Sequence, residues 1–150
     1  MKFPLTPLDH LQARIHFPKL LYFATPEENP EVIIETFLNG LNKTLKALPI
    51  YAGTICLDQA ASKPGTMVVQ EPYWSAEHVL RTVDLRSQYD FAALERKGFP
   101  PDGIDLSLVW PQAHENPTPV LNAQLSLIRN GAILYVGLYH CVAGMLLLSI

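Results

Sequence analysis

Between Pro30 and Leu48 the residues Ile34, Phe37, Leu38, Leu41, Leu45 and Leu48 recur every three or four positions among polar neighbours, the period of an amphipathic helix. The start of that helix is signalled in three ways. Asn29 can cap it, Pro30 suits the first turn because its missing N–H would have no helical partner anyway, and Glu31 complements the positive end of the dipole. Pro49 stops it. Upstream, Arg14 to Phe23 alternates loosely and is rich in Ile, Phe and Tyr, which predicts a strand; Pro18 places that strand at a sheet edge or a bulge.

After Pro49, the run Ile50 to Asp58 predicts a short strand, Ser62 to Thr66 a turn, and the segment from Met67 to Pro72 the hairpin partner. The region from Ser75 to Pro101 is ambiguous except for a short helix over Asp90 to Gly98, ended by that glycine and two prolines. From Pro119 to His140 two apolar segments flank Asn130-Gly131, a pair suited to the positive φ of a tight turn, so two adjacent antiparallel strands are expected. Counting back by twos from His140 reaches Leu138, Val136 and Leu134. The imidazole therefore shares a strand face with aliphatics and emerges where the strand ends.

With 150 residues, 49% hydrophobic and 17% charged, the chain has the size and composition of one folded domain or part of one. A formal charge of -3, with 11 basic residues scattered rather than striped, argues against nucleic acid as a partner. Cys56 and Cys141 share no ligand-like spacing, so neither a disulfide framework nor zinc is indicated and two reduced thiols are expected. The N-terminus lacks an apolar run of signal-peptide length, and no apolar run approaches a membrane span; a cytoplasmic address is the default expectation.

Among the five histidines, His10, His16, His78 and His114 read as surface or cap residues in no metal-ligand spacing. Asp9 beside His10 does not form an acid/base pair if the segment is extended, because neighbours then point to opposite faces. The same geometry argues against a Cys141/His140 nucleophile pair. His140 is the candidate catalytic residue, since strand ends that lead into loops are where sites are commonly built.

Four stretches together resemble the BAHD superfamily of acyl-CoA-dependent acyltransferases, in particular fungal members of the trichothecene 3-O-acetyltransferase type. Leu5-Thr-Pro-Leu-Asp-His-Leu11 is similar to the family's opening segment, and Phe37 to Ile55 to its first helix leading into Pro-x-x-Ala-Gly. Phe99 to Pro111 then precedes Pro119 to Gly144, which resembles the paired strands that lead to His-x-x-x-Asp-Gly. The motif aspartate is missing: either Gly144 replaces it, or one residue is lost from His140-Cys-Val-Ala-Gly-Met145, the reading that better aligns Gly144 and Met145. Tyr139 stands where a first histidine is often found, and Thr54 where many members carry arginine.

The resemblance implies an α/β or α+β fold: the N-terminal half of the coenzyme A-dependent acyltransferase fold, a mixed sheet with flanking helices. Residues 1–150 would form its N-terminal domain, incomplete at the C-terminal end, with the Asp-Phe-Gly-Trp-Gly half absent and the apolar helix start Leu146 to Ile150 left without packing partners. In such an enzyme His140 would be the general base for transfer of an acyl, and by family an acetyl, group from acyl-CoA to a hydroxyl of a secondary metabolite. Imidazole suits that role because its unperturbed pKa, about 6.5, lies near working pH. Acyl-CoA enters as co-substrate with no resident cofactor, no cofactor-binding residue is assigned, and the implied partners are a small-molecule acceptor and a complementary acyltransferase half. The alternative is a truncated, non-catalytic binding module or an inactive gene product.

Overall fold

The computed structural model describes residues 2–26, 29–111 and 118–143. Two four-stranded sheets carry the fold. The first runs β1 (Phe3–Pro4), β4 (Met67–Gln70), β3 (Thr54–Leu57), β6 (Thr118–Pro119), all antiparallel. The second runs β2 (His16–Ala24), β8 (Gly131–Tyr139), β7 (Leu121–Ile128), β5 (Leu80–Asp84); it is mixed, because β5 is parallel to β7 while β2 and β7 are antiparallel to β8. Among the described residues, five α-helices accompany the sheets: α1 (Pro30–Ala47), α2 (Ala76–Val79), α3 (Phe91–Arg96), α4 (Leu106–Val109) and α5 (His140–Ala143). This is the expected mixed α/β arrangement with flanking helices.

The elements form for the reasons their residues suggest. Asn29 caps α1 by accepting the Glu31 N–H, with Pro30 in the first turn. Pro18 lies in β2, an edge strand, as a residue with no N–H to donate requires. At the end of α3, Gly98 has a φ of 71°, the Gly98 N–H donates to the Glu95 carbonyl and the Phe99 N–H to that of Leu94, which satisfies two carbonyls the helix end would otherwise orphan. Two expectations shift. Ile50 and Tyr51 belong to a 3-10 turn, Pro49–Ala52, so the strand begins only at Thr54. His140 is the first residue of α5 and not the last of β8.

The expected turn shifts by one residue: Arg129 and Asn130 join the strands, and Gly131 is already the first residue of β8, in a register that pairs Leu121 with Leu138 through Ile128 with Gly131. Asn130 takes a φ of 59°. A Cβ at Gly131 would lie 2.5 Å from the Phe23 carbonyl oxygen and 2.8 Å from the Phe91 ring, so the turn, β2 and α3 close on one another only with glycine there. All eight residues of β7 are buried. One face of the hairpin, with Ala123, Leu125, Ala132 and Leu138, joins the main core. The opposite face turns Ile128 and Ile133 toward a second cluster with Leu85, Leu94, Ile104 and Val109.

Burial of both faces traps polar side chains that strand alternation would have sent to solvent. Gln124 donates to the Leu108 carbonyl at 2.6 Å and to Ser126 Oγ at 3.1 Å. Asn122 Oδ1 and the Tyr135 hydroxyl, by contrast, are buried with no hydrogen-bond partner. Two predictions result. Gly131→Ala should lower unfolding stability by roughly 2 kcal/mol, because backbone and ring must both move; chemical denaturation measures it. Tyr135→Phe removes an unpaired buried hydroxyl and should be neutral or stabilising, and a loss above about 1 kcal/mol in the same assay would mean that the hydroxyl does have a partner.

Candidate functional site

β8 carries the chain to His140, and α5 begins there because the paired strands have run out: the last pairing in the register is His16 with Tyr139. The His140 N–H donates to the Ile15 carbonyl at 2.9 Å, so the turn into α5 is fastened to the start of β2. The imidazole is 8% exposed and meets the Phe17 ring edge-on at a centroid distance of 5.7 Å. Phe17 pairs with Leu138 and therefore lies on the sheet face that also presents Leu134 and Val136. His140 Nδ1 is buried with no hydrogen-bond partner. Packing and a backbone tie orient this ring, and among the described residues no carboxylate is hydrogen-bonded to Nδ1.

Beneath it, Tyr139 donates its N–H to the Val120 carbonyl and receives the His16 ring edge-on at 5.3 Å. His16 Nε2 is 2.8 Å from the Pro119 carbonyl oxygen. The segment Leu5 to Leu11 packs on α5 through a 3-10 turn, Asp9–Leu11. Asp9 and His10 are thus in a turn and not on extended chain, and the Asp9 carboxylate accepts from the Thr6 N–H at 2.6 Å and the Thr6 hydroxyl at 2.8 Å. It shapes the loop and does not form an acid/base pair. His78 Nδ1 lies 2.8 Å from Ser75 Oγ, away from the site. His114 and Gly144 lie outside the described residues, as do Leu146 to Ile150.

Cys141 follows His140 in the same helical turn, so the strand-face argument against their pairing does not apply; burial decides instead. The thiol is 1% exposed, and desolvation first, with the Asp9 charge second, pushes it up to about 11. A neutral, enclosed thiol is no nucleophile at working pH. Thr54, where arginine is common in the resembled family, is buried and satisfied: its hydroxyl donates to the Pro72 carbonyl at 2.8 Å and accepts from Trp74 Nε1 at 3.0 Å. Among the described residues no group of three or more His, Cys, Asp or Glu could hold a metal ion, and no helix is long and apolar enough to cross a membrane.

Residues 19–146 match the family described as the trichothecene 3-O-acetyltransferase-like N-terminal domain. The chain belongs to that family. TRI101 of F. sporotrichioides, solved with coenzyme A and T-2, superposes with a TM-score of 0.76 at 23% identity, over 94% of this chain and 35% of that one. TRI101 of F. graminearum, solved with coenzyme A and deoxynivalenol, gives 0.77 at 23% identity over 94% and 34%. A wax ester synthase/diacylglycerol acyltransferase from Marinobacter aquaeolei VT8 gives 0.54 at 18% over 92% and 34%. No curated protein matches the sequence. The chain spans about a third of the length of these solved acyltransferases, and the fold is the N-terminal part of theirs.

Sequence reasoning singled out His140 as a candidate but did not show what surrounds it in this acetyltransferase-like domain. Phe17, in β2, and Ile15, just before it, lie more than 120 positions away, and what brings them to His140 is the pairing of β2 with β8. The enclosed state of Cys141 predicts that, at pH 8, iodoacetamide modifies it at least about 100-fold more slowly than half-exposed Cys56, and that the difference vanishes in denaturant. Its thiol is raised from 9.0 to about 11 on folding, so its contribution to stability is complete below pH 9 and is lost as the pH climbs toward 11. Mass spectrometry of the labelled chain reads the first effect and unfolding against pH the second.

Proposed function

We propose that this chain is the base-bearing N-terminal part of an acyl-CoA-dependent acyltransferase of the BAHD type, and that His140 is its general base. The observation that supports this most directly is the fixed placement of His140: an imidazole at the end of β8, tied through its own N–H to Ile15 and packed on Phe17, in a fold shared with acyltransferases solved with coenzyme A. In the proposed reaction His140 takes the proton of an acceptor hydroxyl as its oxygen attacks the thioester carbonyl, and coenzyme A leaves as the thiol. No acyl-enzyme forms. Acyl-CoA is a co-substrate and not a resident cofactor.

The neighbours solved with T-2 and deoxynivalenol support a small-molecule acceptor, acetyl as the acyl group and a role in secondary metabolism. A cytoplasmic address fits such a substrate pair. Because the chain spans about a third of those enzymes, activity is assigned to the chain joined by a complementary half, in cis or as a second polypeptide. The unpartnered Nδ1 of His140 favours a second reading, a binding module that kept the fold and lost the tuned base.

To test this, residues 1–150 are fused to the part of F. graminearum TRI101 outside the matched third, and release of coenzyme A thiol from acetyl-CoA is followed with deoxynivalenol as acceptor. Turnover is expected in the fusion and not in the chain alone, and His140→Gln should lower it by about 10² to 10⁴. Turnover unaffected by that substitution removes His140 as base. A folded fusion without turnover gives the binding-module reading.

A further inference from the structure

The two nitrogens of His140 have different surroundings. Nδ1 is enclosed and has no hydrogen-bond partner. Nε2 is not enclosed in that way, and the ring keeps 8% of its surface exposed where β8 ends. A neutral imidazole carries one proton, and the nitrogen that holds it is set by the bond the other can make. For Nε2 to act as a base the proton must sit on Nδ1, where an acceptor holds it and leaves the Nε2 lone pair facing the substrate.

The groups around the ring do not supply that acceptor. The Ile15 carbonyl takes the main-chain N–H of His140 at 2.9 Å. Asp9, on the turn that packs against α5, accepts with its Oδ2 from the Thr6 N–H and hydroxyl at 2.6 and 2.8 Å. The Phe17 ring, 5.7 Å away between centroids, has only a π-face to offer, a weak acceptor. A proton on Nδ1 is then a buried N–H without a partner, an orphan that native structures rarely keep, whereas an unpaired acceptor is better tolerated. On Nε2 the same proton can be donated to solvent or to a ligand. His16, one residue before Phe17, places its Nε2 2.8 Å from the Pro119 carbonyl oxygen, an acceptor that holds a proton on that nitrogen.

We infer that His140 rests with its proton on Nε2, so that this chain presents a hydrogen-bond donor there, and that the group it takes is a carbonyl oxygen, the thioester oxygen of acyl-CoA. The choice of ligand rests on the reading of the chain as an acyltransferase part; the tautomer rests on the surroundings of Nδ1. A donor aimed at that oxygen polarises the thioester and stabilises the negative charge that gathers on it when a nucleophile attacks. The basic form is the minor tautomer, and proton removal by His140 is slowed by the fraction in which that form stands. Because Nδ1 is enclosed within this chain, a complementary half joined to it adds no acceptor there.

Long-range 1H–15N correlation spectra of the 150-residue chain at pH 8 tell the two tautomers apart, with His140→Gln identifying the His140 signals and His16 as the reference for a protonated Nε2. The Nε2–H form should exceed the other by about tenfold or more. Binding of acetyl-CoA and of ethyl coenzyme A, a thioether without the carbonyl oxygen, is then compared in the fusion with the part of F. graminearum TRI101 outside the matched third. Acetyl-CoA should bind about tenfold more tightly. His140→Ala should abolish that preference, whereas His140→Gln, which keeps an N–H donor and has no basic nitrogen, should retain it.

A major Nδ1–H form overturns the inference. So does a preference for acetyl-CoA that is absent from the parent fusion, survives His140→Ala or is lost in His140→Gln. Turnover with deoxynivalenol separates this proposal from the catalytic one. A preference retained in His140→Gln while turnover falls leaves both standing, the base acting from its minor tautomer. The preference without turnover removes the base and leaves the donor, and turnover with a major Nδ1–H form does the reverse.

Discussion

Pairing of β7 with β8 through the Arg129–Asn130 turn is the constraint on which the remaining structure depends. Side chains alternate with a period of two, so a slip of one residue would turn Ala123, Leu125, Leu134 and Leu138 out of the main core and put Gln124 and Tyr135 in their place. The register is held by a turn whose second residue, Asn130, takes positive φ, and by the strand residue after it, Gly131, which must lack a Cβ because the Phe23 carbonyl and the Phe91 ring occupy that space. One glycine thus couples three elements: the hairpin, edge strand β2 and the start of α3.

His140 inherits its position from this arrangement. β8 is fixed on one side by β7 and on the other by β2, and the residue after the last pairing ties back to Ile15. Such a ring is aimed by backbone geometry and by an aromatic neighbour. In many sites the imidazole is also aimed through its second nitrogen by a carboxylate or carbonyl, whereas here Nδ1 has none. The consequence is an orientation that depends on packing against Phe17.

The main core and the second cluster share β7 and β8 but differ in chemistry. The first includes Tyr51, Met67, Tyr139 and Cys141 among its aliphatics, while the second abuts a buried polar row in which Gln124 and Ser126 are paired and, among the described residues, Asn122 Oδ1 and the Tyr135 hydroxyl are not. Buried polar groups are costly unless bonded, so this row is the least settled part of an otherwise close-packed sheet. Thr54 and Trp74 show the opposite solution, a polar pair of buried Thr54 and half-buried Trp74 with the hydroxyl engaged both as donor and as acceptor.

Local chemistry in the sequence determined the elements whose signals are short-range. Asn29 and Pro30 started α1, Asp90 and Gly98 bounded α3, Asn130 and Gly131 marked the junction of the two long strands, and four stretches together identified the family. The segment Ser75 to Asp84 stayed ambiguous because β5 is a parallel edge strand, whose partner lies some forty residues on and whose exposed face shows no clean alternation. Tertiary structure alone decided that both faces of β7 are buried, that Cys141 is enclosed beside His140, that Asp9 serves a turn, and that Phe17 and Ile15 hold His140. Each of these follows from chain segments far apart in sequence meeting in space, a fact that no local period encodes.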